Sequence, residues 1–496
     1  MHRLSRRELL HSALCAGAVL PALPRALLAD WRRAAERGSS DRPYLDAALR
    51  AEHWIRSTAI DSAKGRTWPA VPGDAKRGTP ESTLYSGAPG VVLFYLELHA
   101  FTGERRFLDE AVRGAVDIAA AIPESAAAVR EAGRGRVDLG RLPGVALGGD
   151  IAPAIPKSAA AVREAGLYEG LAGHVFVLQA VHRASGRDDF AAAARRGAKA
   201  IAAAAIPNGD GVVWNDVTDI ISGSAGIGLA LLAERDLLGD EALDLARRTG
   251  DRLIALAKPV TEGQRKWMMD YTFPREMPNF SHGTAGIAYF LATLSAQGGE
   301  RRHLDAALDG ARYLRAIAAP SGDGFVIRHH DGDGAQLFYL GWCHGPVGTS
   351  RLWQRLAALD RGGKWSETED GGARGLIAQG VPEQRTEGFW NNISQCCGNA
   401  GVAEYFLERF RRGGKADDLA YARRQADDLL HRGTTDGDAE RWVQAENRVS
   451  PLDVAAQTGW MQGAAGVGAM LLHLDAATRG DRRGRAVVFP DSLSAA

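Results

Sequence analysis

Seven times along this chain a Gly-x-x-Gly step is followed at once by an apolar run: "GAPGVVLFYLELH" from Gly87, "GLAGHVFVLQAVH" from Gly170, "GSAGIGLALLAER" from Gly223, "GTAGIAYFLATLS" from Gly283, "GPVGTSRLWQRLA" from Gly345, "GNAGVAEYFLERF" from Gly398 and "GAAGVGAMLLHLD" from Gly463. Successive starts are 83, 53, 60, 62, 53 and 65 residues apart. A period of that size marks one supersecondary unit per repeat, stacked so that neighbours share a core. The runs are apolar around most of a helical circumference and should be buried.

Between them lie longer segments of a different kind, among them "YLDAALRAEHWIRSTAI", "ERRFLDEAVRGAVDIAAAI", "DEALDLARRTGDRLIALAK", "RRHLDAALDGARYLRAIAA" and a weaker one near "EDGGARGLIAQGV". Apolar residues recur in them at three and four with Arg, Asp and Glu between, which predicts helices with one wet face. Seven buried helices alternating with seven half-exposed ones predict an all-α fold, an α/α toroid with seven inner and seven outer helices. An open solenoid would need terminal repeats with a polar outer face, and neither the first nor the last inner run is more polar than its neighbours, so a closed ring is expected. A near-perfect local duplication, "AIPESAAAVREAG" (121–133) and "AIPKSAAAVREAG" (154–166), accounts for the long first interval and reads as a loop insertion.

The chain begins "MHRLSRRELLHSALCAGAVLPALPRALLAD", a basic start, a short apolar run and then Pro and small residues. That is the composition of an export leader, and Ser5-Arg6-Arg7-Glu8-Leu9-Leu10 resembles a twin-arginine signal. The expected division is a leader over 1–29, an outer helix and lead-in over 30–80, the ring over 81–478 and a tail over 479–496, with the Arg-rich stretch at 479–485 solvated. Export to the periplasm or beyond follows, with a cytoplasmic protein carrying a basic amphipathic N-terminus as the alternative. Lys plus Arg and Asp plus Glu balance at 60 each, so a nucleic-acid partner is not expected. No apolar run reaches membrane length, so an integral membrane protein is not expected either.

The four cysteines then become informative. If the leader is removed Cys15 goes with it, leaving Cys343, Cys396 and Cys397, and three thiols cannot all pair as disulfides. Adjacent cysteines bridge each other only through a strained ring. Their register explains them better. Cys343 lies two residues before Gly345 in "GWCHGPVG"; Cys396 and Cys397 lie two and one before Gly398 in "QCCGNAG". If every Gly-x-x-Gly marks one height in the ring, neighbouring repeats bring three thiols to one place. Such a cluster is a soft-metal site, with one Zn2+ as the default ion and a fourth position open for catalysis. His344 could fill that position or stand behind the ligands; the neighbouring Tyr339 and Trp342 are candidates only for standing behind them. His282, directly before Gly283, and Asp219, four before Gly223, share the same height and are acid–base candidates. Taken singly, each has a plainer reading, a small buried thiol or a polar group at a helix start.

With "SHGTAGI", "GWCHGPVG", "CCGNAG" and the sevenfold repeat in hand, the chain resembles the lanthionine synthetase C-like family over about residues 80–475. The resemblance implies a double-layered α-toroid whose zinc is held by a Trp-Cys-x-Gly cysteine, matched by Cys343, and by a Cys-His pair before a Gly-x-x-Gly. Here that pair is Cys396 and Cys397, a substitution of histidine by cysteine that some branches of the family also show. It implies zinc activation of a peptide thiol for addition to a dehydroamino acid, closing a thioether, with His282 as acid/base and Asp219 as the acidic partner. The family's cyclases often carry arginine four residues before the first zinc cysteine, where this chain has Tyr339. Two other functions remain open on sequence: a zinc-containing protein that binds a peptide or small thiol without chemistry, and a carbohydrate-active α/α barrel using Asp219 and Glu169.

Overall fold

The computed structural model describes residues 40–74, 82–123, 164–270 and 276–492. The expected leader over 1–29 and most of the duplicated segment lie outside these residues. Among the described residues are fourteen α-helices in two alternating sets. The outer set is α1 (Pro43–Ser57), α3 (Arg105–Ala120), α5 (Asp188–Ala204), α7 (Asp240–Leu256), α9 (Arg301–Ala316), α11 (Trp365–Ala378) and α13 (Ala416–Arg432). The inner set is α2 (Ala88–Thr102), α4 (Leu171–Ser185), α6 (Ser224–Ala233), α8 (Thr284–Ala296), α10 (Pro346–Leu359), α12 (Asn399–Gly413) and α14 (Ala464–Thr478), each capped by the first glycine of a Gly-x-x-Gly in extended conformation. None of these helices is long and apolar enough to cross a membrane.

Three inner helices run outward into the next outer helix through a glycine turn. Gly103, Gly186 and Gly414 end α2, α4 and α12 with φ of 76°, 70° and 71°, left-handed values that glycine adopts without a Cβ penalty. The outer helices then return, and α1, α5, α7, α9 and α13 are each followed by a two-stranded hairpin. Just past three of these hairpins a tryptophan turns inward: the indole N–H groups of Trp214, Trp267 and Trp442 donate to the Ile201, Leu253 and Leu429 carbonyls of the preceding outer helix at 2.8, 2.7 and 2.8 Å. A buried indole keeps its hydrogen bond in this way while locking the loop to the helix end.

The ring closes. α14 packs on both α1 and α2, joining the last repeat to the first. The loops preceding the inner helices form a circular belt of backbone hydrogen bonds. Tyr85 N–H donates to the Tyr168 carbonyl (3.0 Å), Tyr168 to Ile221 (2.9 Å), Ile220 to Ser281 (3.1 Å), Ser281 to Cys343 (2.8 Å), Cys343 to Cys396 (3.2 Å), Cys396 to Met461 (3.0 Å) and Met461 back to Tyr85 (2.9 Å). An open solenoid would leave both ends of this ladder without partners. The core is one continuous cluster spanning both layers, with Phe94, Phe176, Tyr289 and Phe406 of the inner helices fully buried.

Two features depart from the sequence reading. Inner helices α10 and α12 are not wholly apolar: Arg351, Arg355, Glu404 and Arg409 are buried on them. The stretch 479–485 is also not solvated throughout. Arg482 and Arg483 are exposed, but Arg485 pairs with Glu404, and beyond it Val487, Phe489 and Asp491 are buried while Ala486 and Val488 face outward. A buried carboxylate needs a partner, and the tail brings the guanidinium back into the ring to supply it.

Candidate metal centre

The belt sets the height of every side chain before a Gly-x-x-Gly. The second residue before each motif is Tyr85, Tyr168, Ile221, Ser281, Cys343, Cys396 or Met461, and these are the residues whose backbones make the belt. The residue immediately before is Ser86, Glu169, Ser222, His282, His344, Cys397 or Gln462. Functional groups therefore collect at the mouth because the repeat puts them there.

Cys343, Cys396 and Cys397 are all buried and unbridged, and their sulfurs lie within 4.8 Å of one another. Cys343 Sγ is 3.0 Å from Cys397 Sγ, which is 3.4 Å from Cys396 Sγ. The approach depends on Gly341, where a Cβ would stand 2.6 Å from Cys397 Cα. Tyr85 donates its O–H to Cys396 Sγ at 2.9 Å and accepts from Gln462 Nε2 at 2.9 Å.

Burial pushes the Cys396 thiol up, but the hydrogen bonds of Cys343, Cys397 and Tyr85 and the charge of His282 outweigh it and hold the group well below the usual thiol range. Cys397 goes the other way, pushed well up by its contacts with Cys343 and Cys396 and by burial. The cluster thus accepts a first negative charge readily and resists a second. Burial, with the nearby sulfur charges, also pushes the Tyr85 phenol well up, so it remains a donor.

That donor set fits a single soft cation. A central ion would remove the mutual repulsion of three thiolates, and zinc tolerates such sulfur-rich coordination. Among the described residues this is the only such group of His, Cys, Asp and Glu side chains, and His344 does not belong to it.

Beside the thiols, His282 Nδ1 lies 2.6 Å from Asp219 Oδ2. The other oxygen of Asp219 accepts from the backbone N–H groups of Ser222 and Gly223, both at 2.9 Å, at the start of α6. The carboxylate is buried at 3% side-chain exposure while His282 keeps 24%, so the pair has a fixed base and an accessible ring. Burial alone would lower the His282 pKa; the hydrogen bond and charge of Asp219, then the charges of Glu169 and Cys396, raise it above the ordinary histidine value. Glu169 accepts from Ser222 Oγ at 3.1 Å.

His344 packs between His282 and His329, with ring centroids 5.5 and 4.1 Å away. Tyr339 packs on His329 and Trp390 at 4.3 and 5.0 Å. Trp342 turns its indole away from the sulfurs and donates to Asp491 at 3.1 Å, while its backbone N–H donates to the Cys396 carbonyl at 2.7 Å. Tyr85 and Gln462 occupy the same two positions as the cysteines and His282, but neither residue type stands out in the sequence. His329 and His330 stand close by, their Nδ1 atoms 2.6 Å apart, with His330 bonded onward to Asp333 at 2.7 Å. These lie outside the repeat, in "RHHDGDG", and only the run of histidines marks them.

The model of the family described as lanthionine synthetase C-like protein matches residues 79–481. No curated protein matches the sequence. Among solved structures, nisin cyclase is similar at a TM-score of 0.57 and 14% identity, covering 90% of this chain and 95% of that one. An alpha-1,6-mannanase of Salegentibacter sp. HEL1_6 aligns at a TM-score of 0.39 and 14% identity over 62% of this chain and 88% of that one. Cellobiose 2-epimerase from Bacillus thermoamylovorans B4167 aligns at 0.43 and 11% over 62% and 87%.

Proposed function

From the premise that this chain belongs to the lanthionine synthetase C-like family, we propose that it joins a thiol to an electron-poor alkene, in a peptide or small molecule, to form a thioether. The observation that carries this reading is the convergence of three buried, unbridged thiols with the Asp219–His282 pair at one mouth of the ring. Cys343, Cys396 and Cys397 would hold one zinc ion and leave a position for a substrate thiol. When bound, zinc supplies the Lewis acidity that takes a coordinating thiol from a pKa of about 8.5 to the thiolate at neutral pH.

The chain's own residues handle the proton. Addition of sulfur to the β-carbon of a dehydroamino acid places negative charge on the α-carbon and its carbonyl, and that carbon must then be protonated. Asp219 holds His282 through Nδ1, so Nε2 is the position left to carry the proton. The raised pKa favours the charged form of the ring, the form that can donate. The step balances without a further reactant: the S–H proton of the thiol is matched by the new C–H bond, and nothing leaves. Tyr85 steadies Cys396 by its O–H.

The test combines metal analysis with turnover. Purified protein should carry about one zinc per chain, lost in Cys343→Ala, Cys396→Ala and Cys397→Ala alike. A peptide containing dehydroalanine and cysteine should keep its mass but lose one alkylatable thiol on incubation. Wild-type protein without metal overturns the metal reading. Metal-loaded protein that retains the peptide without consuming its thiol makes it a binding protein instead.

A further inference from the structure

Beyond α14 the chain does not leave the ring. Its contacts climb from the middle of the inner helices toward the belt. Arg485 Nε pairs with Glu404 at 3.2 Å, and its Nη2 with Glu408 at 3.3 Å. The backbone N–H groups of Ala486 and Val487 donate to the two oxygens of Glu97, both at 3.0 Å. Phe489 then packs against Phe176, Trp460 and Tyr168, with centroids 5.4, 5.2 and 6.4 Å away. Asp491, 1% exposed, ends the climb directly beneath the mouth.

Asp491 is bound from both sides of the belt. One oxygen accepts the Tyr168 O–H and the other the Trp342 indole N–H, each at 3.1 Å, and Arg351 Nε stands 3.6 Å away. The Trp342 ring is packed between Tyr168 and Phe280, with centroids at 5.0 and 5.7 Å. Its backbone N–H and that of Cys343 converge on the Cys396 carbonyl at 2.7 and 3.2 Å. The residue whose indole Asp491 grips is thus the one that hands the chain to Cys343, and Cys343 Sγ touches Cys397.

We propose that Asp491 is a positioning residue for the thiol centre. By holding the Trp342 indole from below it fixes the Trp342–Cys343 step, and the C-terminal segment is a working floor of the site. A buried carboxylate that accepts from an indole and a phenol and supplies a guanidinium with its countercharge has no isosteric neutral substitute. In Asp491→Asn the amide NH2 faces a donor in place of one accepting oxygen, and Arg351 loses its countercharge. Partners that orient metal ligands in this indirect way typically change metal affinity by about 10–100-fold when altered.

The inference rests on the metal reading for one of its two measurements only. Full-length wild type, Asp491→Asn and the control Leu429→Ala, which opens a cavity in the outer layer, are compared well below their unfolding temperatures. Zinc affinity by chelator competition should fall at least about tenfold in Asp491→Asn and stay at the wild-type value in Leu429→Ala, even where both lower Tm. In metal-free protein, alkylation of Cys343 followed by peptide mass spectrometry should be faster in Asp491→Asn and unchanged in the control. Wild-type Cys343 reactivity in Asp491→Asn overturns the proposal. If wild type takes up no zinc, the metal reading falls by itself and the alkylation rates still decide the role of Asp491.

Discussion

Asp219 and His282 are 63 residues apart in the chain and 2.6 Å apart in the ring, each delivered by the loop that precedes its own inner helix. The carboxylate is doubly committed, to the α6 backbone through one oxygen and to the imidazole through the other. Its orientation is therefore set by the helix start, and the orientation of His282 is set by it. The dyad is a fixed carboxylate–imidazole pair, built from parts that the repeat brings together.

Replacing Asp219 by Asn keeps an oxygen for the Ser222 and Gly223 N–H groups but removes the charge that raises the His282 pKa. The imidazole should then titrate lower than in the wild type. Thioether formation should fall by about 10²-fold or more, as should His282→Ala, with metal content unchanged in both. The checks are turnover, metal analysis and the titration of the His282 ring resonances. Wild-type turnover in Asp219→Asn would remove that residue from the mechanism.

Tyr85→Phe deletes one hydrogen bond to sulfur and leaves Gln462 Nε2 without its acceptor. The loss should cost about 1 kcal/mol of stability. It should also raise the Cys396 thiol pKa, because a donor to the thiolate has gone. Metal uptake, which displaces thiol protons, should therefore shift its midpoint to higher pH. A pH titration of zinc binding reads the shift, and an unmoved midpoint would show that the phenol does not support the thiolate.

Much of this arrangement is legible in the sequence because one glycine pair fixes one height. Cys343, Cys396, Cys397, His282 and Asp219 are all found by counting back from Gly-x-x-Gly, and the helix count follows from the alternation of all-apolar and one-faced segments. The same count reaches Tyr85 and Gln462, but a lone Tyr or Gln carries no chemical signature until its neighbour across the ring is known. Asp491 is beyond such counting. It lies in no repeat, and the Arg-rich stretch before it looks solvated because its partners Glu404 and Glu408 sit on an inner helix that periodicity marks as apolar. Long-range charge pairing inside a ring has no local pattern to read.

Gly341 offers a test of the approach between the two cysteine loops. An alanine methyl there would stand 2.6 Å from Cys397 Cα and press on the Cys396 carbonyl, so the loops must separate. Gly341→Ala should keep the helical content of the ring but lose most of its metal. Gly413→Ala is the control, since a Cβ at that helix end meets nothing within 4 Å. Circular dichroism and metal analysis on the two proteins separate a local effect on the centre from loss of fold. Full zinc in Gly341→Ala would mean that the loops tolerate the spread.

The tail's lower anchor makes stability depend on pH in a direction that can be stated. His473, fully buried, lies 2.8 Å from Glu404 and 3.2 Å from Glu97. Burial alone would lower its pKa, but the charges and hydrogen bonds of Glu404 and Glu97 raise it above the ordinary value, while His473, Arg485 and Arg411 overcome burial to hold Glu404 well below the carboxylate range. A raised histidine contributes stability in full below its unfolded pKa of about 6.5 and loses it as pH rises through the folded value. A depressed carboxylate contributes above its unfolded pKa of about 4.3 and loses that as pH falls. The cluster should therefore be strongest between the two limits, and the alkaline limb belongs to His473. His473→Gln should cost about 3 kcal/mol on the acid side of that limb, where it breaks a buried charge pair, and progressively less above it. Denaturant unfolding below, near and above about pH 6.5 reads both effects. An alkaline slope that persists in His473→Gln would assign the limb to another group and free the tail anchor from it.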